Sequence, residues 1–181
     1  SYDGNSNRIA ATTENGTVNG SVDAQDRLTA YGSETFVYNA TGQLTGRTNT
    51  DTNETTLYQY DVYGNLKHVL LPNGTNLDYV VDGLNRRIGK KQNGQLQQGW
   101  LYANQLAPIA ELDGLGNLVS RFVYADRKNV PSLMIKGGKT YRIVADHLGS
   151  PRIVIDVQTG EIVQRMDYDV WGKVTLDTNP G

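Results

Sequence analysis

Asp146-His147-Leu148-Gly149-Ser150 puts an acid, an imidazole and a hydroxyl within five positions, the residue types of a nucleophilic triad. A triad must also converge in space beside an oxyanion hole. Here the three groups form one local run, Gly149 and Pro151 flank the serine as turn formers, and no G-x-S-x-G elbow occurs. The run reads as a structural turn. His68 and His147 are the two histidines and belong to different segments, so their spacing gives no support for a transition-metal site. Runs of Asp, Asn and Gly have the composition of calcium loops. They lack the 12-residue EF-hand spacing and the calcium nonapeptide, and read instead as turns capped by their own Asp or Asn. Asp167 and Asp169 stand two positions apart, on one face of an extended segment. A glycosidase needs its carboxylates across a sugar cleft, so this pair reads as edge charge. No catalytic, cofactor or metal residue is assigned, and the chain is expected to be non-enzymatic.

The elements that hold these residues announce themselves by repetition. An apolar or aromatic residue, then Asp or Asn, a few turn residues and an aliphatic residue recur with the acid or amide at 3, 23, 39, 61, 82, 113, 156 and 169. Tyr2-Asp3, Tyr38-Asn39, Tyr60-Asp61 and Tyr168-Asp169 carry the aromatic form; Val22, Val81, Leu112 and Ile155 stand in its place elsewhere. The first intervals lie near 20 residues, and the longer ones that follow are expected to contain inserted material. Asp or Asn can accept a backbone N–H two residues on, and glycines such as Gly64, Gly116, Gly160 and Gly172 supply a positive φ.

Composition agrees. Among 181 residues there are 20 Gly, 16 Asn and 14 Asp, so the chain must turn often. The formal charge of −2 and scattered Lys and Arg argue against nucleic acid as a partner, and the lack of Cys excludes disulfides and thiolate chemistry. No apolar run is long enough for a helical membrane span. Flanking segments alternate: Leu77, Tyr79 and Val81 oppose Asn76, Asp78 and Val80. Pro72-Asn73-Gly74-Thr75, Asn93-Gly94 and Gly137-Gly138 are hairpin signals. The expected fold is all-β, one continuous curved antiparallel sheet of tandem hairpins across 1–181. Its parts are N-terminal repeats at 1–44, a polar loop at 45–56, central hairpins at 57–124, a loop at 125–132 and C-terminal repeats at 133–181.

Tyr-Asp-x-x-Gly-Asn-Leu at such spacing resembles the RHS/YD-repeat proteins. Asp146-His147-Leu148-Gly149-Ser150-Pro151-Arg152 resembles that family's DHLGxPR segment, Tyr168-Asp169-Val170-Trp171-Gly172 its YDxWG repeat, and Gly83-Leu84-Asn85-Arg86-Arg87 its GLGRR stretch. The resemblance implies hairpins that spiral into a hollow shell, with a related shell in teneurins and, in bacterial members, a C-terminal toxin domain inside. It implies a secreted or cell-surface home, and partners that are neighbouring repeats, the rest of a parent protein, an enclosed toxin domain or identical subunits edge to edge. It also implies that these residues are wall rather than chemistry. The family pattern continues beyond Asn179-Pro180-Gly181 into a self-cleavage segment, so the chain is expected to be a piece with an open strand edge. The alternatives are an adhesive or filament-forming module, with tyrosines as a carbohydrate platform, and, ranked below it, a glycoside hydrolase. N-x-S/T sequons at Asn15, Asn19, Asn39, Asn53 and Asn73 are glycan acceptors only in a eukaryotic secretory setting.

Overall fold

A computed structural model describes residues 1–14 and 16–180, and all the regular elements among them are β-strands. Asn15 and Gly181, and with them one sequon and the end of the Asn-Pro-Gly segment, lie outside the described residues. The chain divides into two compact units, Ser1–Val81 with Lys91–Gln95, and Asp82–Lys90 with Leu96–Gly181.

In the first unit a bridge between Tyr2 and Arg8 closes a small N-terminal hairpin. The strands β1 (Ala10–Thr13), β2 (Gly16–Val22), β3 (Leu28–Tyr31), β4 (Glu34–Tyr38), β5 (Leu44–Asn49), β6 (Glu54–Tyr60), β7 (Leu66–Leu70) and β8 (Asn76–Val81) follow. Each pairs antiparallel with the next. Tyr58, Val69 and Leu77 stand directly opposite one another across β6, β7 and β8, so they share one face, and Val69 is buried there.

β9 (Arg87–Gln92) contributes to both units. The second unit continues with β10 (Gln95–Tyr102), β11 (Pro108–Asp113), β12 (Leu118–Val123), β13 (Leu133–Lys136), β14 (Lys139–Ala145), β15 (Pro151–Asp156), β16 (Ile162–Tyr168) and β17 (Val174–Asp177). These too pair in sequence order, all antiparallel. Phe122, Met134, Tyr141 and Asp156 form one cross-strand row. Buried apolar side chains are few among the described residues: Val69, Ala107, Ala110 and Val154. Within each unit the described strands form a single-layer meander, each meeting its neighbours in the sheet, which leaves few side chains enclosed.

The polar segment 45–56 corrects an expectation. It is not a loop: Leu44–Asn49 and Glu54–Tyr60 are paired strands, and the turn between them is only residues 50–53. Threonine explains the difference. Its branched Cβ suits a strand, and Thr48 and Thr55 join hydroxyls across the pair at 2.9 Å. Thr56 is only 5% exposed. A search for apolar alternation alone cannot see such strands. Residues 125–132 lie between β12 and β13, outside any strand.

One irregularity recurs. The register shifts between Ser21 and Val22, Val37 and Tyr38, Gln59 and Tyr60, Leu101 and Tyr102, and Asp167 and Tyr168. Each shift falls immediately before the last strand residue ahead of a turn. A bulge there re-aims the side chain that follows it.

Candidate functional site

The chemistry-bearing residues converge on one repeated device, a five-residue turn opened by Asp or Asn. At Asp61 the backbone N–H donates to the Asn65 carbonyl at 3.0 Å, and Gly64 N–H donates to the Asp61 carbonyl at 3.1 Å. Oδ1 of Asp61 accepts from the N–H of Tyr63 at 3.0 Å and of Asn65 at 2.9 Å, while Oδ2 accepts from the Asn65 amide at 3.0 Å. The loop's inward-pointing N–H groups are thereby satisfied by one carboxylate. Gly64 sits at φ 84°. The same backbone pair of hydrogen bonds recurs at Asp3, Asp23, Asn39, Asp82, Asp113, Asp146 and Asp169. Asp156 opens a turn one residue longer, with Gly160 donating to its carbonyl and Glu161 accepting from its N–H.

Counting the opening residue as first, the fourth position takes positive φ. Gly42, Gly64, Gly116, Gly149 and Gly172 fill it in five copies, and Ser6, Asp26 and Asn85 fill it in three. The fifth position returns to the first: Asn7 and Asp3, Arg27 and Asp23, Gln43 and Asn39, Asn65 and Asp61, Arg86 and Asp82, Asn117 and Asp113 all bond side chain to side chain. This fifth-position partner was not singled out in the sequence, although it stands directly before the aliphatic residue in four of these six copies and one position earlier in the Asp3 and Asp82 copies. It also sets the electrostatics. The Asn65 amide, the Arg27 guanidinium and the Arg86 guanidinium hold the carboxyls of Asp61, Asp23 and Asp82 below the ordinary carboxylate range, helped by the turn amides.

Tyrosine links successive turns. Tyr38 Oη donates to the Leu28 carbonyl at 2.8 Å, Tyr102 to Arg87 at 3.0 Å, Tyr124 to Pro108 at 2.8 Å, and Tyr168 to Pro151 at 2.9 Å. Each acceptor is the residue just past an earlier turn, so the ring that ends one hairpin fastens the start of the one before. Guanidiniums of Arg27, Arg86 and Arg152 lie 5.2, 5.2 and 5.4 Å from the ring centres of Tyr38, Tyr102 and Tyr168. Tyr2 is exposed, and Tyr60 is partly buried with its hydroxyl pushed up by burial. Tyr102 and Tyr124 escaped the sequence pattern because alanine, not Asp, follows them.

This geometry revises the repeat. Strands alternate in direction, so turns alternate between two rims of the meander. In the second unit the turns at Asp82, at Ala103-Asn104, at Asp146 and at Asp169 share one rim with the 125–132 loop, whereas those at Asp113 and Asp156 lie on the other. The eight positions are therefore not one series. The long interval after Asp82 holds an ordinary turn without an opening Asp, in which Ala103 N–H donates to the Ala107 carbonyl and Asn104 supplies the side-chain acceptor. Leu71-Pro72-Asn73-Gly74-Thr75 likewise keeps the backbone bonds of the Asp61 turn without an acid.

The other candidates have local partners. Oδ1 of Asp146 accepts from the N–H of Leu148 and of Ser150, each at 3.0 Å, and His147 is exposed at the tip. Among the described residues no hydrogen bond joins the three side chains of Asp146, His147 and Ser150. His68 Nδ1 lies 2.8 Å from Asp78 Oδ1 across β7 and β8. No group of three or more His, Asp or Glu among the described residues is placed to hold a metal ion. Asp167 is not edge charge: it bonds Arg152 at 3.0 Å within β16, which is paired on both sides, and Asp169 caps the amides of Trp171 and Lys173. Asp156 is 2% exposed and pairs with Lys139 at 3.0 Å. Of the sequons, Asn39 spends both amide atoms inside its turn, Asn19 lies in β2, and Asn53 and Asn73 are exposed in turns.

The sequence profile of the family described as Teneurin YD-shell matches residues 1–181. Teneurin-1 of Gallus gallus is 24% identical over 162 residues, covering 87% of this chain and 6% of that protein. The tRNA nuclease WapA of Bacillus subtilis (strain 168) is 27% identical over 180 residues, covering 96% of this chain and 7% of that protein. The chain thus spans a small fraction of the length of the relatives it matches. A crystal structure of TcdB2-TccC3 without its hypervariable C-terminal region superposes with a TM-score of 0.48 at 14% identity, over 97% of this chain and 11% of that one.

Proposed function

Since the chain belongs to the Teneurin YD-shell family, as the match over residues 1–181 establishes, we propose that it is a non-enzymatic stretch of shell wall in a secreted or cell-surface protein. In this reading the wall encloses or displays another domain of the parent chain, a toxin in a bacterial parent. The observation that carries it is the tyrosine lacing at Tyr38, Tyr102, Tyr124 and Tyr168. A wall must keep its hairpins in fixed order over a wide area, with each hairpin held mainly by its neighbours. Hydroxyl-to-carbonyl links between one hairpin end and the preceding turn supply that order without a second layer. The polar partners of the turn carboxylates are consumed within the turns, which leaves them architectural.

The nuclease activity in the name of the Bacillus relative belongs, in this proposal, to parts of that protein outside the matched segment. Partners here are neighbouring repeats and the rest of the parent chain. The test uses the parent protein. Intact parent treated with a broad-specificity protease should retain an undigested domain that becomes digestible once the wall is opened with denaturant. Equal digestion before and after opening would overturn enclosure.

The exposed turn tips favour a second reading. Val62, Val170 and Trp171 are respectively 93%, 91% and 72% exposed, and Val170 and Trp171 stand side by side at one turn tip. A module that displays its rims for contact with identical subunits would use them, and concentration-dependent filaments of the isolated chain would support it over enclosure.

A further inference from the structure

We infer that the Arg127-Lys128 pair is a processing site, at which a serine protease selective for basic residues converts this chain into two pieces that stay joined by their strands. Three dibasic pairs occur in the sequence, at 86–87, 90–91 and 127–128. Arg86 is tied to Asp82 within its turn, and Arg87, Lys90 and Lys91 lie in β9. Arg127 and Lys128 stand instead in the 125–132 segment, where residues 125–129 are all exposed.

Proteases bind their substrates extended, with the backbone amides and carbonyls around the cleaved bond free to pair with the enzyme. A ladder strand must first unfold locally to offer them. Among the described residues, no backbone N–H or carbonyl of residues 127–131 takes part in a hydrogen bond. The ends of the segment are nevertheless fixed. Ser132 is 5% exposed, its N–H donates to the Val123 carbonyl at 2.8 Å, and its hydroxyl accepts from the N–H of Ala125 at 3.2 Å. Arg127 Nη1 donates to the Asp146 carbonyl at 3.0 Å, a single surface contact that the enzyme's own pocket replaces. The result is a short, exposed, unpaired bridge between anchored posts.

Cleavage adds water across the Lys128–Asn129 peptide bond: hydroxide joins the Lys128 carbonyl carbon and a proton goes to the new Asn129 amine. The posts do not depend on that bond. Ser120, Arg121, Phe122 and Val123 of β12 pair with Lys136, Ile135, Met134 and Leu133 of β13, and Ile143 N–H donates to the Ser132 carbonyl at 3.0 Å. The two halves of the nicked chain therefore remain one sheet.

Trypsin at a low ratio to the folded 181-residue chain is the probe. The first cut should fall after Arg127 or Lys128, shown by fragment mass and a new N-terminus at Lys128 or Asn129, and the fragments should elute together on native size exclusion. The Arg127→Gln/Lys128→Gln variant should be cut first elsewhere and about tenfold more slowly, with an unchanged urea midpoint. A first cut in the wild type at Lys136, Lys139 or β9, fragments that separate without denaturant, or a variant cut as fast as the wild type would each overturn the assignment.

Discussion

The Arg86 guanidinium lies over the Tyr102 ring, 5.2 Å from its centre, while two of its nitrogens hold Asp82 Oδ2 at 2.7 and 2.8 Å. One side chain thus serves the turn it sits in and the hairpin end that follows, 16 positions later. Arg27 repeats the arrangement with Asp23 and Tyr38. The planar guanidinium suits this double duty, since it stacks on a ring face while its edge donates to a carboxylate. Charge, ring and turn are therefore a single mechanical joint, repeated along the chain.

The lacing hydroxyl can also be removed without removing its ring, at Tyr124, where among the described residues the lacing runs without an arginine over the ring. Tyr124→Phe deletes the bond to the Pro108 carbonyl and should cost about 1 kcal/mol, whereas Tyr124→Ala should cost about 3 kcal/mol by losing the ring as well. Urea titrations of the two variants measure both. Equal midpoints for Tyr124→Phe and wild type would leave the hydroxyl without a structural role.

Gly64 tests the turn backbone. Its φ of 84° costs an L-residue about 1–2 kcal/mol, and a branched Cβ more. Asn85 occupies the equivalent position at φ 60°, so Gly64→Asn should be the mildest substitution, Gly64→Ala intermediate and Gly64→Val the worst. The order of unfolding midpoints reads this directly; Val equal to Asn would contradict it.

Acid should loosen the turns. The carboxyls of Asp3, Asp23, Asp61, Asp82 and Asp113 are held below their ordinary range by their fifth-position partners and the turn amides. A carboxyl whose pKa is lower folded than unfolded stabilises the fold above the unfolded value, near 3.9, and that contribution disappears as pH falls through the folded value. Stability should thus drop below about pH 4. Asp61→Asn keeps the Oδ1 acceptor, as Asn39 does naturally, but cannot titrate. Its stability should fall less steeply with acid than that of the wild type, as urea midpoints between pH 7 and pH 2 will show.

Much of this was legible in the sequence because turn chemistry is local. Asp61 and Gly64 announce their turn by identity and spacing, and the all-β meander follows from how often such turns recur. The Leu71 turn was visible as Pro72-Asn73-Gly74-Thr75, but the Ala103 turn was hidden because its side-chain acceptor, Asn104, stands at the second position rather than the first. The alternation of rims was hidden as well. Asp82 and Asp113 look alike in sequence, and only the number of strands between them places them on opposite rims. The lacing of Tyr168 to Pro151 depends on a bulge at Asp167–Tyr168, a feature of two strands in register rather than of either alone. Arg86 was visible as part of a motif, but not as the partner of both Asp82 and Tyr102.

The most direct test of the wall assignment is a cryo-electron microscopy map of the parent protein at side-chain resolution. The account predicts that residues 1–180 are traced as consecutive hairpins within a closed wall, with Tyr38, Tyr102, Tyr124 and Tyr168 bonded across hairpins and density for another domain inside. A map that places these hairpins in an extended arm bounding no interior volume would contradict it.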